Sequence, residues 1–264
     1  MDTSTLIPDY HGIVTTPEGR IFILGGIDAS NNISRRCLEY DPKTNALHRR
    51  SDMLNERYGF AVTYAKGRIY VFGGYGREGA VINNNEFYDI RTNTWCALPN
   101  SNAATAQSSV VNFRNVYFYK FGGYLQDNTL YGAIERFSLI DNSWTTVVAH
   151  SDSKVPIYPL CATAQINPNE ILIFGGVDEK GRGTRKCFLF SIDQWRSGNT
   201  VHFNERITPL EDSDLPTADG FWDQQTIAHE NRIFALQNVS DVRGEVVGRR
   251  VLEYKDKTWN VLAK

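Results

Sequence analysis

Short apolar runs that alternate with polar positions recur along the whole chain, each closed within a few residues by Gly, Asp or Asn. That period of two marks half-buried strands. No stretch carries the i, i+3, i+4, i+7 stripe of an amphipathic helix, so an all-β chain is predicted. The strands recur as a group. "RIFILGG" ends at Gly26, "RIYVFGG" at Gly74, "VYFYKFGG" at Gly123 and "EILIFGG" at Gly176, and the first glycines, Gly25, Gly73, Gly122 and Gly175, lie 48, 49 and 53 residues apart. A fifth copy, "NRIFALQN", has Gln237-Asn238 where the glycine pair is expected. Asn tolerates positive φ, so this reads as a degenerate copy.

Each unit continues through a polar loop, a second apolar strand ending near an aromatic, a turn holding Asp or Asn, and commonly a tryptophan. Tyr88 precedes Trp95 by seven residues in "NNNEFYDIRTNTWCAL"; Phe137 and Trp144 repeat the interval, and Tyr40 and Leu47 repeat it with leucine in the tryptophan seat. Tyr254 and Trp259 stand closer, across a tighter turn. In the fourth unit Trp195 comes too early, which predicts a longer hairpin with Val201 or Phe203 in the seat. A further strand precedes each glycine pair, as in "GFAVTYAKG", making four strands per unit.

The diglycine after an apolar strand, followed by a spaced tyrosine and tryptophan, resembles the kelch repeat. The resemblance covers about residues 10 to 264, and residues 1–9 read as a lead-in or strand tail. It implies a β-propeller of four-stranded blades, at about 10–53, 57–100, 106–150, 159–212 and 219–264, with aromatics such as Trp95 and Trp144 stacked against neighbouring blades. Five blades are expected; six, or a fragment of a larger ring, are the alternatives. The paired glycines are expected to let the strand bend beside bulky rings where a Cβ would clash.

One stretch suggests different chemistry. "GGYGREG" contains G-x-G-x-x-G as Gly74, Gly76 and Gly79, the spacing of a dinucleotide-binding turn. The next residues, "AVINNNEFYD", cannot open a helix, so a pyrophosphate would have no helix N-terminus to sit on. Asp89 lies only ten residues after Gly79 and reads as a turn former, as do Asp41, Asp141 and Asp256. No cofactor is expected.

Charge and composition narrow the function further. With 28 Lys+Arg against 30 Asp+Glu the chain lacks the positive field that nucleic acid requires. No apolar run approaches the roughly 20 residues of a membrane span, and "MDTSTLIPDY" lacks the basic and apolar regions of a secretory signal. Cys37, Cys96, Cys161 and Cys187 form no C-x-x-C pair and read as free thiols of a reducing, cytoplasmic compartment, in which the two N-x-S sequons, at Asn32 and Asn238, carry no weight. The five histidines are dispersed, and neither a G-x-S-x-G elbow nor a Walker loop occurs, so no catalytic or metal-binding residue is nominated. Propeller enzymes such as galactose oxidase exist, but none of their catalytic or metal residues matches a position here.

The loops after the glycine pairs remain. In kelch propellers, which this chain resembles, such loops bind partners, and here they carry residue types that dominate interface hot spots. The first two loops offer Arg35, Arg36, Tyr75, Arg77 and Glu78; the third offers Tyr124, Asp127 and Tyr131; the last two offer Asp178, Arg182, Arg185 and Arg243. A long connection, "ERITPLEDSDLPTADGFW", adds Glu211, Asp212, Asp214 and Asp219 as a candidate acidic rim. The expected function is a non-enzymatic module that binds a partner protein or peptide on this loop face. The rivals are an enzyme acting on a small, sugar-type molecule at the propeller axis and a structural subunit of a cytoskeletal or other large assembly. Beside five blades the length leaves no room for a BTB or F-box segment.

Overall fold

The computed structural model describes residues 7–148, 157–211, 213–216, 226–229, 232–240 and 246–263. They form five four-stranded antiparallel sheets, each ordered as the chain runs. The first is β1 (Gly12–Thr15), β2 (Ile21–Leu24), β3 (Cys37–Asp41) and β4 (Ala46–Arg49); the second is β5 (Ala61–Ala65), β6 (Arg68–Phe72), β7 (Asn85–Asp89) and β8 (Thr94–Leu98). β9 (Ser109–Phe113), β10 (Tyr117–Phe121), β11 (Ile134–Ser138) and β12 (Ser143–Val148) make the third. The fourth is β13 (Ala162–Asn167), β14 (Glu170–Phe174), β15 (Cys187–Ser197) and β16 (Thr200–Pro209), and the fifth β17 (Thr226–His229), β18 (Arg232–Ser240), β19 (Val246–Lys255) and β20 (Thr258–Ala263). No helix among the described residues is long and apolar enough to cross a membrane.

The chain divides into two compact units, Met1–Thr129 with Ile134–Thr146, and Leu130–Ala133 with Val147–Lys264. In the first unit β1, β5 and β9 lie side by side. Between its sheets Phe22, Leu24, Met53, Phe60, Ile69, Val71, Tyr88 and Trp95 form one buried cluster. Phe72, Phe118, Phe137 and Trp144 contribute to a second. Tyr88 pairs with Trp95 across β7 and β8, with ring centroids 5.2 Å apart. The indoles also tether sheets: Trp95 Nε1 donates to the Ser51 carbonyl (2.8 Å) and Trp144 Nε1 to that of Pro99 (3.1 Å), each at the end of the preceding sheet. In the second unit the same seat holds Trp259, 4.7 Å from Phe174 and 5.1 Å from Tyr254.

The turn acids act locally. Asp89 Oδ1 accepts the backbone N–H groups of Arg91 and Thr92, and Asn93, at φ 55°, closes the turn and accepts the Tyr88 hydroxyl at 2.7 Å. This is Asx-turn chemistry.

Two expectations need correction and a third is widened. The tryptophan seat of the fourth sheet goes to neither Val201 nor Phe203: the hairpin is longer, and the residue opposite Phe190 is Ile207. Trp195 instead stacks, 52% exposed, on His202 across the extension. The fifth copy is no degenerate turn, because β18 runs straight through Gln237 and Asn238, which pair with Arg250 and Arg249. Finally, the glycine pairs make room for backbone as well as for rings: a Cβ on Gly25 would lie 2.5 Å from the Arg57 carbonyl oxygen and 2.8 Å from the Phe60 ring. A Cβ on Gly73, at φ 60°, would lie 2.2 Å from the Thr105 carbonyl oxygen of the segment entering the next sheet; one on Gly74, at φ 100°, would meet the Tyr58 carbonyl of its own sheet's incoming segment at 2.8 Å. The same Thr105 carbonyl accepts the Gly74 N–H at 2.9 Å, so the pair is where two chain crossings are clamped.

Candidate functional site

Four loops of equal length succeed the glycine pairs, at 27–36, 75–84, 124–133 and 177–186. Their backbones share a plan. Ser34, Ile82 and Thr184 each donate to the second glycine's carbonyl, and the residue directly after the pair bridges back to the incoming segment, as in Tyr75 with Tyr58 and Tyr124 with Ala106. "GREG" adds a single 3-10 turn at Arg77–Gly79, with Gly79 at φ 72° and Glu78 at φ 54°. The dinucleotide spacing therefore ends in a tight turn.

Two buried ion pairs, which sequence reasoning missed, support these loops in the first unit. Arg57 and Glu86 are fully buried and meet at 2.7 Å. Arg57 also donates to the Gly73 and Asn84 carbonyls at 2.7 and 2.8 Å, while Glu86 accepts the backbone N–H groups of Leu54 (2.7 Å) and Asn55 (3.2 Å). The pair thus locks the incoming segment of the second sheet to both ends of its loop. In the third sheet Lys120 and Glu135, also buried, meet at 2.6 Å, and Glu135 accepts the Ala103 N–H. Burial pulls the Lys120 ammonium below its usual range and the Glu135 carboxylate opposes that pull. The only sequence signal was the glutamate two residues before the aromatic, in "EFY" and "ERF".

On this frame stands a row of tyrosines. Tyr58 and Tyr75 stack at 5.0 Å with planes 28° apart; Tyr10, 64% exposed, tilts against Tyr58 at 6.3 Å. Tyr75 also has Tyr124 as a neighbour, and burial pushes its phenol above the usual range. The second and third loops are joined by Gln126, which accepts the Val81 N–H at 2.6 Å and donates to the Gly79 carbonyl. Arg77 is ion-paired with Glu56. Sequence reasoning found Tyr75 and Tyr124 but missed Tyr10 and Tyr58, which lie on incoming segments outside the loops it searched.

The other candidate positions are spread over both units. Arg35 and Arg36 are exposed on the first loop, with Arg35 3.8 Å from Asp52. Asp127 is exposed and accepts the Thr129 N–H and hydroxyl. Tyr131 belongs to the second unit. There Asp178, Arg182 and Arg185 come together with Tyr158, Lys186 and Asp214 around an open recess of about 520 Å³. Asp178 and Arg182 form a two-bond pair (2.8 and 3.0 Å), which with backbone N–H bonds holds the Asp178 carboxyl below its ordinary range; Lys186 pairs with Asp214 at 3.0 Å. The long acidic connection begins as strand: residues 205–209 belong to β16. Asp212, Asp219 and Arg243 lie outside the described residues. Among the described residues no three His, Cys, Asp or Glu side chains are grouped so as to hold a metal ion.

A family model, the KLHDC2/KLHL20/DRC7 Kelch-repeats domain, matches residues 6–176, more than half of the chain. The chain belongs to the kelch-repeat family. Its five sheets are the blades of a kelch β-propeller, and the diglycine clamps and tyrosine–tryptophan pairs are the family's repeat in atomic form. Among solved structures, that of YjhT superposes with a TM-score of 0.68 over 97% of this chain and 84% of that one; at 15% identity the likeness is one of fold. No curated protein matches the chain.

Proposed function

We propose that this kelch propeller is a non-enzymatic interaction module that binds a partner protein, or a peptide segment of one, on the loop face of its first three blades. The observation that carries this reading is the tyrosine row, half-exposed and held on loops already braced by Gln126 and the Arg57–Glu86 pair. Rigid aromatic area that needs little ordering on contact is what interface hot spots use. Arg77, engaged with Glu56, serves the loop's shape as well as its charge, so Tyr58 and Tyr75 are the sharper probes. The test is quantitative capture from native cells by the wild type and by the Tyr58→Ala/Tyr75→Ala double variant. Selective loss of a discrete set of proteins is expected; identical capture of every protein would overturn the reading. The buried thiols fit a reducing cytoplasmic setting.

A second reading, a small charged ligand held by the second unit, rests on the recess at Arg182, Arg185 and Lys186, whose volume lies within the range of small-molecule sites. A thermal-shift screen of small anions and sugars, with metal analysis of the purified protein, separates it from the first.

A further inference from the structure

We infer that the tyrosine row of the first unit is built for an extended, proline-rich segment that carries a basic residue beside its prolines. This rests on the loop-face reading above and names the ligand.

Three observations lead there. The first concerns the backbone. An incoming strand gains affinity by pairing with unpaired backbone, but at the tyrosine row the backbone is already paired. Tyr58 and Tyr75 exchange both of their backbone bonds (3.0 and 2.8 Å), as do Ala106 and Tyr124 (3.0 and 2.8 Å). Recognition therefore falls to side chains. A polyproline II segment suits this, since it arrives with no internal hydrogen bonds and with its carbonyls outward, and it costs little ordering entropy.

The second is the shape and polarity of the row. Tyr58 and Tyr75 stack as one slab, while the plane of Tyr10 is tilted 54° to that of Tyr58. Steps of 5.0 and 6.3 Å give the row a length of at most about 11 Å, enough to take one turn of polyproline II, which rises roughly 9 Å in three residues. A tyrosine hydroxyl can donate to a ligand carbonyl while its ring takes a proline face, and Tyr10, Tyr58 and Tyr75 offer three of them in a row.

The third is charge. The joined loop tips next to the row carry Glu78 and Asp127, the one exposed just before Gly79 and the other just after Gln126. Hydrogen bonds from Thr129 hold the Asp127 carboxyl below its ordinary range, and Arg77 is engaged with Glu56. The flank is net acidic and complements a cationic residue on the ligand.

The test uses the full chain and a fluorescein-labelled seven-residue peptide, Arg-Ala-Pro-Pro-Leu-Pro-Pro, read by anisotropy, with all-alanine-for-proline and Glu-for-Arg versions as controls. Saturable binding is expected for the parent peptide, weakened about tenfold or more by Tyr58→Ala or Tyr75→Ala, in keeping with loss of a hot-spot side chain. Loss of the prolines should do the same, and Glu78→Lys should weaken the parent peptide while improving the Glu-for-Arg version. Melting curves of the variants exclude unfolding. A random-peptide display selection runs in parallel. Enriched peptides that depend on Tyr58 and Tyr75 but lack proline would overturn the ligand class and leave the loop face standing; enriched peptides indifferent to both tyrosines would overturn the two readings together.

Discussion

Glu86 offers the most quantitative probe of how the loop face is held. Its carboxylate is fully buried and holds three partners at once: the Arg57 guanidinium at 2.7 Å and the Leu54 and Asn55 N–H groups at 2.7 and 3.2 Å. Glu86→Leu strands a buried cation and two backbone donors. Breaking a buried pair from one side costs about 3–5 kcal/mol, because the remaining charge keeps its desolvation penalty. Orphaned backbone donors cost about 1–3 kcal/mol each where water cannot reach them. The single variant is therefore expected to lose at least about 3 kcal/mol, a large share of a typical stability of about 5–15 kcal/mol. Arg57→Met/Glu86→Leu removes both charges, and its loss should be smaller than the sum of the two single losses by about 1–3 kcal/mol of coupling. Urea unfolding followed by tryptophan fluorescence measures this cycle. A Glu86→Leu cost below about 1 kcal/mol, the range of an exposed pair, would refute the reasoning.

Further expectations are brief. Gly73→Ala puts a Cβ 2.2 Å from a backbone oxygen at a left-handed φ, so little or no soluble folded protein is expected on expression, whereas Gly79→Ala, with open space around it, should lose only about 1–2 kcal/mol from its φ. Trp95→Ala should cost about 3–5 kcal/mol as a buried aromatic deletion, and Trp195→Ala, on the exposed hairpin, less than about 0.5 kcal/mol; chemical denaturation compares them. Cys37, Cys161 and Cys187 are buried with their thiols pushed up to about 12 while Cys96 is exposed, so a thiol reagent at neutral pH should label Cys96 alone until denaturant is added. Since those three raised values mean that the unfolded chain ionises first, their contribution to stability should be whole below the ordinary thiol range and fall as pH rises from there towards 12, a trend that Cys→Ala variants should flatten.

The repeat made the fold legible because four copies of one strand-diglycine-loop unit cannot arise from independent local accidents. Its failures have physical causes. Ile207 takes the tryptophan seat because the extra length of β15 and β16 carries Trp195 out beyond the sheet, and sequence spacing cannot tell a longer hairpin from a shifted one. Asn238 tolerates a turn but does not enforce one, so β18 simply continues. The candidate site was legible only in part: loops adjacent in sequence to the diglycines were found, but Tyr10 and Tyr58 join the row through tertiary bridges. Arg57–Glu86 and Lys120–Glu135 were hidden because charged residues, even one set in an apolar run as Lys120 is, are expected to face water.

The claim that the tyrosine row is the partner-binding surface is tested most directly by site-specific photo-crosslinking in native cells. A photoreactive phenylalanine analogue replaces Tyr75 in one strain and Ile140, exposed on a turn at the opposite end of a blade, in another. The account expects position 75 to yield crosslinks to one contiguous segment of a discrete partner and position 140 to yield none to that partner. Crosslinks to the same partner from position 140, with none from position 75, would contradict it.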